Sequence, residues 1–137
     1  MRFSFKKITI IRFNKEPTMT NIDQELQWLG TSLGLFSLRD KDRSCYRVFI
    51  TLLKALKTGQ GLTSDEIAFQ LNLTRGTVVH HINNLLAAGL IVEKNNRYQM
   101  RAKTMKKILE EMKMDMDKTY DNLILVSEKI DEKLDLS

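Results

Sequence analysis

One short stretch of the chain carries polar side chains whose types suit the edges of DNA bases. Arg75 offers a guanidinium fork, Thr77 a hydroxyl and a methyl group, and Asn83 a carboxamide. A guanidinium can donate twice to guanine, a carboxamide can pair with adenine, and a methyl group suits thymine. Val79 could also meet a thymine methyl, and His80 adds a ring that can contact DNA. This pattern indicates recognition by hydrogen bonds and apolar contacts.

A helix has to present these side chains together, and the flanking residues predict one. Thr74 is a good N-cap, and Gly89 is a typical C-terminal stop, so the helix is expected to run to Ala88. Gly76 has no side chain and would let a phosphate approach the backbone near the helix N-terminus. The apolar residues at helical spacing, which should pack inward, are Val78, Ile82, Leu85 and Leu86.

A second capped helix precedes this one. Thr63 and Glu66 have the spacing of a capping box, in which the hydroxyl accepts from the Glu66 amide and the carboxylate reaches back to the Thr63 amide. Asn72 tolerates the left-handed conformation that ends a helix. Two short helices joined by a tight turn are typical of a helix-turn-helix, which places its second helix in the major groove.

The residues that follow predict a small basic hairpin, or wing. Residues 90–92 are β-formers, and Asn95-Asn96 suits a tight turn with positive φ angles. Lys94 and Arg97 flank the tip and could reach phosphates or a minor groove, although a solubilising loop has a similar composition. The residues predicted to contact DNA are therefore Thr74, Arg75, Gly76, Thr77, Val79, His80, Asn83, Lys94 and Arg97.

This part of the chain resembles the ArsR/MarR-type winged-helix transcription regulators. Residues 73–82 read LTRGTVVHHI, and residues 88–91 read AGLI. The resemblance implies a homodimer that binds a near-palindromic operator, and it places Arg75, Thr77, Val79 and His80 on the contacting face. Val79 departs from the family pattern, which often has a hydroxyl there.

Metal sensing, which the resemblance raises, is not expected here. ArsR-type members often bind metals through paired cysteines or His/Asp clusters, but Cys45 is the only cysteine of this chain. His80 and His81 are adjacent, so on a helix they point about 100° apart and do not face one metal. We predict no metal site and no cofactor, and we interpret His81 as packed within the domain.

A long amphipathic helix is predicted over residues 102–137. Its apolar seam follows alternating steps of four and three residues, as in a coiled coil. The seam residues are Met105, Leu109, Met112, Met116, Thr119, Leu123, Val126 and Ile130. The same helix from a second copy is the simplest partner, which predicts a homodimer. The alternative is a helix that folds back on the N-terminal segment of its own chain.

The expected fold is mainly α with a small β-hairpin. We divide the chain into a basic extension (1–18), an N-terminal helix (19–39), a winged helix-turn-helix domain (40–101) and a coiled-coil dimerisation helix (102–137). Within the domain, a core helix over 42–57 should bury one face. The basic extension could be a short strand, an arm for phosphates, or a start-site artefact ahead of Met19. The core-helix face comprises Tyr46, Phe49, Ile50, Leu53 and Leu56.

Composition narrows the classes of function. The formal net charge of +5 is compatible with a nucleic-acid partner but weak as a signal. The single cysteine rules out an internal disulfide and fits the cytoplasm, and no apolar run approaches the ~18 residues of a membrane span.

The sequence shows no paired carboxylates, no glycine-rich phosphate-binding loop and no activated nucleophile, so we do not predict an enzyme. We predict a homodimeric regulator that binds specific double-stranded DNA. The alternative is a protein-interaction adaptor in a transcription or replication assembly. The operator, any effector, and the choice between repression and activation stay open.

Overall fold

The structure is a computed structural model of the 137-residue chain, and it describes residues 7–11, 21–36 and 43–136. It contains five α-helices, one short 3-10 helix and one hairpin within those residues. The chain divides into two compact units, residues 1–101 and 102–137. The elements are α1 (Ile22–Ser32), α2 (Ser44–Lys54), the 3-10 helix (Ala55–Thr58), α3 (Ser64–Leu71), α4 (Arg75–Ala87), β1 (Ile91–Lys94), β2 (Arg97–Met100) and α5 (Met105–Lys133).

The core of the first unit lies among α2, α3, α4 and the hairpin. Its fully buried side chains are Val48, Phe49, Leu52, Ile67, Val78, Ile82, Leu85 and Leu90. Each such side chain stabilises the fold by about 1.5–3 kcal/mol through burial. Because α3, α4 and β2 all pack on α2, this helix forms the centre of the domain.

The predicted face of α2 was only partly right. Tyr46 and Phe49 are buried as expected, but Ile50, Leu53 and Leu56 are only half-buried. Cys45 is buried, as expected for a small apolar side chain on this helix. Val48 and Leu52 are buried as well, so the covered arc of α2 is rotated from the predicted one. The reason is that α2 has neighbours on several sides, and a single stripe does not describe a helix at the centre of a domain.

The two predicted threonine caps are confirmed. The Thr63 hydroxyl accepts from the Glu66 amide at 3.1 Å, and the Thr74 hydroxyl accepts from the Thr77 amide at 3.2 Å. Asn72 closes α3 in the left-handed conformation with φ 54°, as its residue type predicts. Gly89 has φ 80° just after α4 ends, within one residue of the expected boundary.

The wing is an antiparallel pair in which Ile91 faces Met100 and Lys94 faces Arg97. Asn95 and Asn96 form its turn with φ angles of 54° and 62°, which confirms the predicted tight turn. Leu62 adds an antiparallel bridge to the outer side of β2.

The N-terminal parts are described in two pieces. In residues 7–11 the Lys7 amide donates to the Ala87 carbonyl at 3.0 Å, and the Ile11 amide donates to the Ser32 carbonyl at 2.7 Å. These bonds tie that piece to the ends of α4 and α1. The Asn21 side chain caps α1 by accepting from the Gln24 amide at 2.9 Å. Residues 1–6, 12–20 and 37–42 lie outside the described residues, so the predictions for them stay untested.

Taken by itself, α5 is a continuous 29-residue helix that Thr104 caps through the Lys107 amide. Ile108 and Met112 are buried within a single copy of the chain. From Asp117 to Leu136, which we call the distal segment, every side chain is exposed. The predicted seam is therefore not uniform, because part of its N-terminal half is already covered. In the part of the chain that the structure describes, no helix is long and apolar enough to cross a membrane.

Candidate nucleic-acid interface

All nine residues predicted to contact DNA lie at the surface. Thr77 and Val79 are partly exposed, and the other seven are exposed. Seven of the nine belong to the start and outer side of α4, and two flank the tip of the wing. None is buried by the protein's own packing.

The orientation of α4 is set by its inner side. Val78, Ile82 and Leu85 are at most 1% exposed, and α4 packs on both α2 and α3. Rotating α4 would expose these three side chains to water, at a cost of several kcal/mol. The outward direction of His80 and Asn83 is therefore a consequence of the core. Leu86, predicted to point inward, is only half-buried.

The first turn of α4 is ordered by its cap. The Thr74 hydroxyl lies 2.8 Å from the Thr77 hydroxyl in addition to accepting the Thr77 amide. One hydrogen-bonding position of the Thr77 hydroxyl is thus used inside the protein. A hydroxyl has one donor and two acceptor positions, so Thr77 retains capacity for an external partner.

Arg75 pairs with the acid that opens the preceding helix. Its Nε lies 3.6 Å from Asp65 Oδ1, and both side chains are about three-quarters exposed. An exposed pair of this kind contributes little stability. The contact therefore holds the guanidinium near the start of α4 without committing it, and a base edge could displace Asp65.

Gly76 occupies a position that the fold does not reserve for glycine. A Cβ atom added there would meet nothing within 4 Å, and its φ angle is not in the left-handed region. Glycine inside a helix costs about 0.5–1 kcal/mol relative to alanine. Neither packing nor backbone geometry of the described residues explains why this position is a glycine.

The two histidines have separate environments, as predicted. His81 Nε2 lies 2.6 Å from the buried Ser44 hydroxyl, which confirms that His81 is bonded within the domain. His80 is exposed, with its ring centroid 5.3 Å from that of His81. Among residues 7–11, 21–36 and 43–136, no group of three His, Cys, Asp or Glu side chains could hold a metal ion.

The wing cations differ in their contacts. Lys94 is exposed, while Arg97 Nη1 donates to the Gly61 carbonyl at 2.8 Å and Arg97 Nη2 lies 3.3 Å from Glu66 Oε1. The prediction that the Glu66 carboxylate returns to the Thr63 amide was wrong, since this carboxylate pairs with Arg97. Local spacing predicted the cap but could not reveal a partner 31 positions away along the chain.

Asn84 is a candidate contact that the sequence reasoning missed. It is exposed and stands four residues after His80, so the two share one side of α4. The four-residue spacing from His80 could have indicated Asn84 from the sequence alone. A carboxamide there has the same pairing capacity for adenine as that of Asn83.

A second surface feature is an open groove of about 420 Å³ along α1. Arg43 Nη2 donates to Gln27 Oε1 at 2.7 Å, and the guanidinium carbon lies 4.1 Å from the Tyr46 ring centroid. The Tyr46 hydroxyl donates to Asp23, and burial followed by this contact raises the pKa of Tyr46. The groove residues are Asp23, Gln24, Gln27, Trp28, Thr31 and Arg43.

Comparison with known families bears on the first of these surfaces. Residues 47–94 match a family model described as a helix-turn-helix domain. The chain contains a helix-turn-helix domain. The match runs from α2 to the end of β1 and covers about a third of the chain. With the hairpin that follows α4, it confirms the predicted winged helix-turn-helix fold. No curated protein matches the chain.

The helix-turn-helix domain supports a DNA-binding regulator as the general class. Within it, α3 and α4 are the two helices of the motif, and the surface assembled above lies on the second. This is the helix that such motifs place in the major groove.

Proposed function

We propose that the protein is a homodimeric, ArsR-like transcription regulator that binds specific sequences in double-stranded DNA. The supporting observation is the outer side of α4, whose side chains are mostly polar and accessible, while Val78, Ile82 and Leu85 on its inner side are fully buried. The recognition helix enters the major groove, and the wing contacts the backbone or the minor groove.

The roles of the side chains follow from their chemistry. Arg75 donates to guanine, Asn83 pairs with adenine, and Val79 contacts a thymine methyl. Thr74, Gly76 and the first turn of α4 meet a phosphate, where exposed amides and a missing side chain permit close approach. Lys94 supplies salt-dependent affinity through the backbone.

A second copy of the chain is the proposed partner of α5. The distal segment exposes large apolar side chains along about 26 Å of helix, more than a soluble monomer usually exposes together. Pairing of identical helices would cover the seam side of this segment, which carries Leu123, Val126 and Ile130, and would present two recognition helices to successive major grooves. The exposed set is Tyr120, Leu123, Ile124, Leu125, Val126, Ile130, Leu134 and Leu136.

The test is selection of bound duplexes from a random pool, followed by titration of the full chain with a selected duplex and with a scrambled one. At moderate salt, the selected duplex should bind at least about 10³-fold more tightly. Equal affinity for both would contradict sequence-specific binding. A failure to bind any duplex at low salt would contradict DNA binding altogether.

The alternative is a protein-interaction adaptor, and one observation favours it. Phe69 on α3 is 89% exposed, a large apolar side chain that no hydrogen-bonding role explains. A protein partner would bury it. Under the adaptor hypothesis, Phe69→Ser abolishes a protein contact and DNA binding is absent in both forms. Under the regulator hypothesis, Phe69→Ser leaves the preference for the selected duplex intact.

A further inference from the structure

The wing is joined to the segment before α3 by paired backbone hydrogen bonds. The Leu62 amide donates to the Tyr98 carbonyl at 2.9 Å, and the Tyr98 amide donates to the Leu62 carbonyl at 2.8 Å. These two bonds make Leu62 a one-residue third strand beside β2. The position of the hairpin is thus set by more than its own turn.

Arg97 extends this junction through its side chain. Its Nη1 donates to the Gly61 carbonyl at 2.8 Å, and its Nη2 lies 3.3 Å from Glu66 Oε1. Glu66 belongs to the first turn of α3, where its amide is held by Thr63. One guanidinium therefore links β2 to both the backbone before α3 and the helix itself.

The glycine at position 61 allows β2 to lie close to the segment before α3. It is buried, and a Cβ atom added there would lie 3.0 Å from Arg97 Cβ and 3.0 Å from the Tyr98 carbonyl oxygen. Such contacts are tighter than side chains normally allow. Glycine at this position lets β2 come near enough for Arg97 to reach its acceptor.

Lys94 lies directly across the hairpin from Arg97. The contacts that hold Arg97 in place therefore also hold the neighbouring position of β1, which Lys94 occupies. A cation that is already engaged on two sides by protein groups is a poor choice for the main phosphate contact, while the exposed Lys94 is a good one.

We propose that Arg97 is a positioning residue that clamps the wing to the helix-turn-helix motif through Gly61 and Glu66, so that Lys94 meets the DNA backbone. This rests on the proposed DNA-binding function. It replaces the expectation that Arg97 is itself a principal DNA contact.

The two roles predict opposite effects of removing the acid. If Arg97 contacts phosphate directly, Glu66 competes for its guanidinium, so Glu66→Gln strengthens DNA binding or leaves it unchanged. If Glu66 anchors the clamp, Glu66→Gln weakens binding despite removing a negative charge near DNA. Asp65→Asn is the comparison for loss of charge alone, because it removes the same charge from the same helical turn without touching the wing. Since it also releases Arg75, it should strengthen DNA binding or leave it unchanged.

The experiment measures the affinity of the full chain for a selected duplex over a range of salt concentrations. We expect Glu66→Gln and Arg97→Ala each to weaken binding roughly threefold or more, the lower end of couplings between contacting residues. In the Lys94→Ala background, Arg97→Ala should have little further effect on affinity. The slope of log affinity against log salt concentration should fall by about 0.9 in Lys94→Ala and should fall no further in the double variant. Binding at least as tight as wild type in Glu66→Gln, or a second independent fall in slope, would overturn the proposal.

Hydrogen exchange separates this proposal from the proposed function. Without any DNA, Arg97→Ala and Glu66→Gln should accelerate exchange of the Leu62 and Tyr98 amides, while Lys94→Ala should not. Unchanged exchange at both amides in folded variants would contradict the clamp. If the wild-type chain binds no duplex, but the two variants still show faster exchange, the DNA-binding function is contradicted and the clamp is supported.

Discussion

The helix-turn-helix domain and the distal segment of α5 present opposite kinds of surface. On α4 the large apolar side chains are buried or half-buried and the fully exposed side chains are polar or small. On the distal segment, large apolar side chains are themselves exposed. The first surface suits a polar ligand such as DNA, whereas the second is the surface that the proposed partner helix would cover.

The largest expected effect comes from placing a charge in the proposed helix pair. Leu123→Asp should raise the dissociation constant of the dimer by more than about 100-fold, because an unpaired buried charge costs roughly 3–5 kcal/mol. Sedimentation equilibrium of the full chain measures the change.

Leu125→Asp is the matched control for that substitution. Leu125 is 57% exposed against 59% for Leu123, but it lies roughly 160° around the helix from Leu123 and outside the seam. It should leave the dimer intact. Equal dissociation by both variants, or by neither, would contradict pairing through the predicted seam.

On the α4 side, Arg75→Ala should weaken binding to the selected duplex by about 1–3 kcal/mol and relax the preferred sequence. The reason is the loss of a guanidinium fork on guanine. Fluorescence anisotropy with selected and scrambled duplexes measures both quantities. Equal loss on the two duplexes would rule out base recognition by Arg75.

Gly76→Ala separates folding from binding. It should raise the free energy of unfolding by up to about 1 kcal/mol, because alanine suits a helix better and its Cβ meets no protein atom. Binding to the selected duplex should nevertheless weaken. Thermal unfolding measures the stability, and the same titration measures the affinity. An unchanged affinity would contradict the proposed close approach of a phosphate to Gly76.

The smallest expected effect tests the support beneath the recognition helix. Ser44→Ala removes the 2.6 Å contact with His81 Nε2 and should lower the free energy of unfolding by about 1 kcal/mol. Chemical denaturation measures it. Thr51→Ala in the same helix is a suitable control, since its hydroxyl bonds only locally to the Arg47 carbonyl. If Ser44→Ala lowered the free energy of unfolding no more than Thr51→Ala does, the contact between Ser44 and His81 would not stabilise the fold.

What could be predicted from the sequence was local. Thr63, Thr74 and the Asn95-Asn96 turn act through neighbours in the chain, so residue type and spacing were sufficient. The inward side of α4 followed from helical periodicity for the same reason.

What could not be predicted depends on distant segments. The bridge between Leu62 and Tyr98, and the pairing of Arg97 with Glu66, join positions more than 30 residues apart. Met112 is buried while Leu123, Val126 and Ile130 are exposed, which divides a seam that looks uniform in the sequence. Such features are set by tertiary packing, which no local pattern encodes.

The central claim is that the outer side of α4 contacts the bases, and amide NMR shifts on addition of a selected duplex test it most directly. We predict the largest shifts at the amides from Arg75 to Asn84 and at the wing tip, and no shifts in the distal segment. Shifts confined to the distal segment, with the α4 amides unchanged under saturating duplex, would contradict the claim.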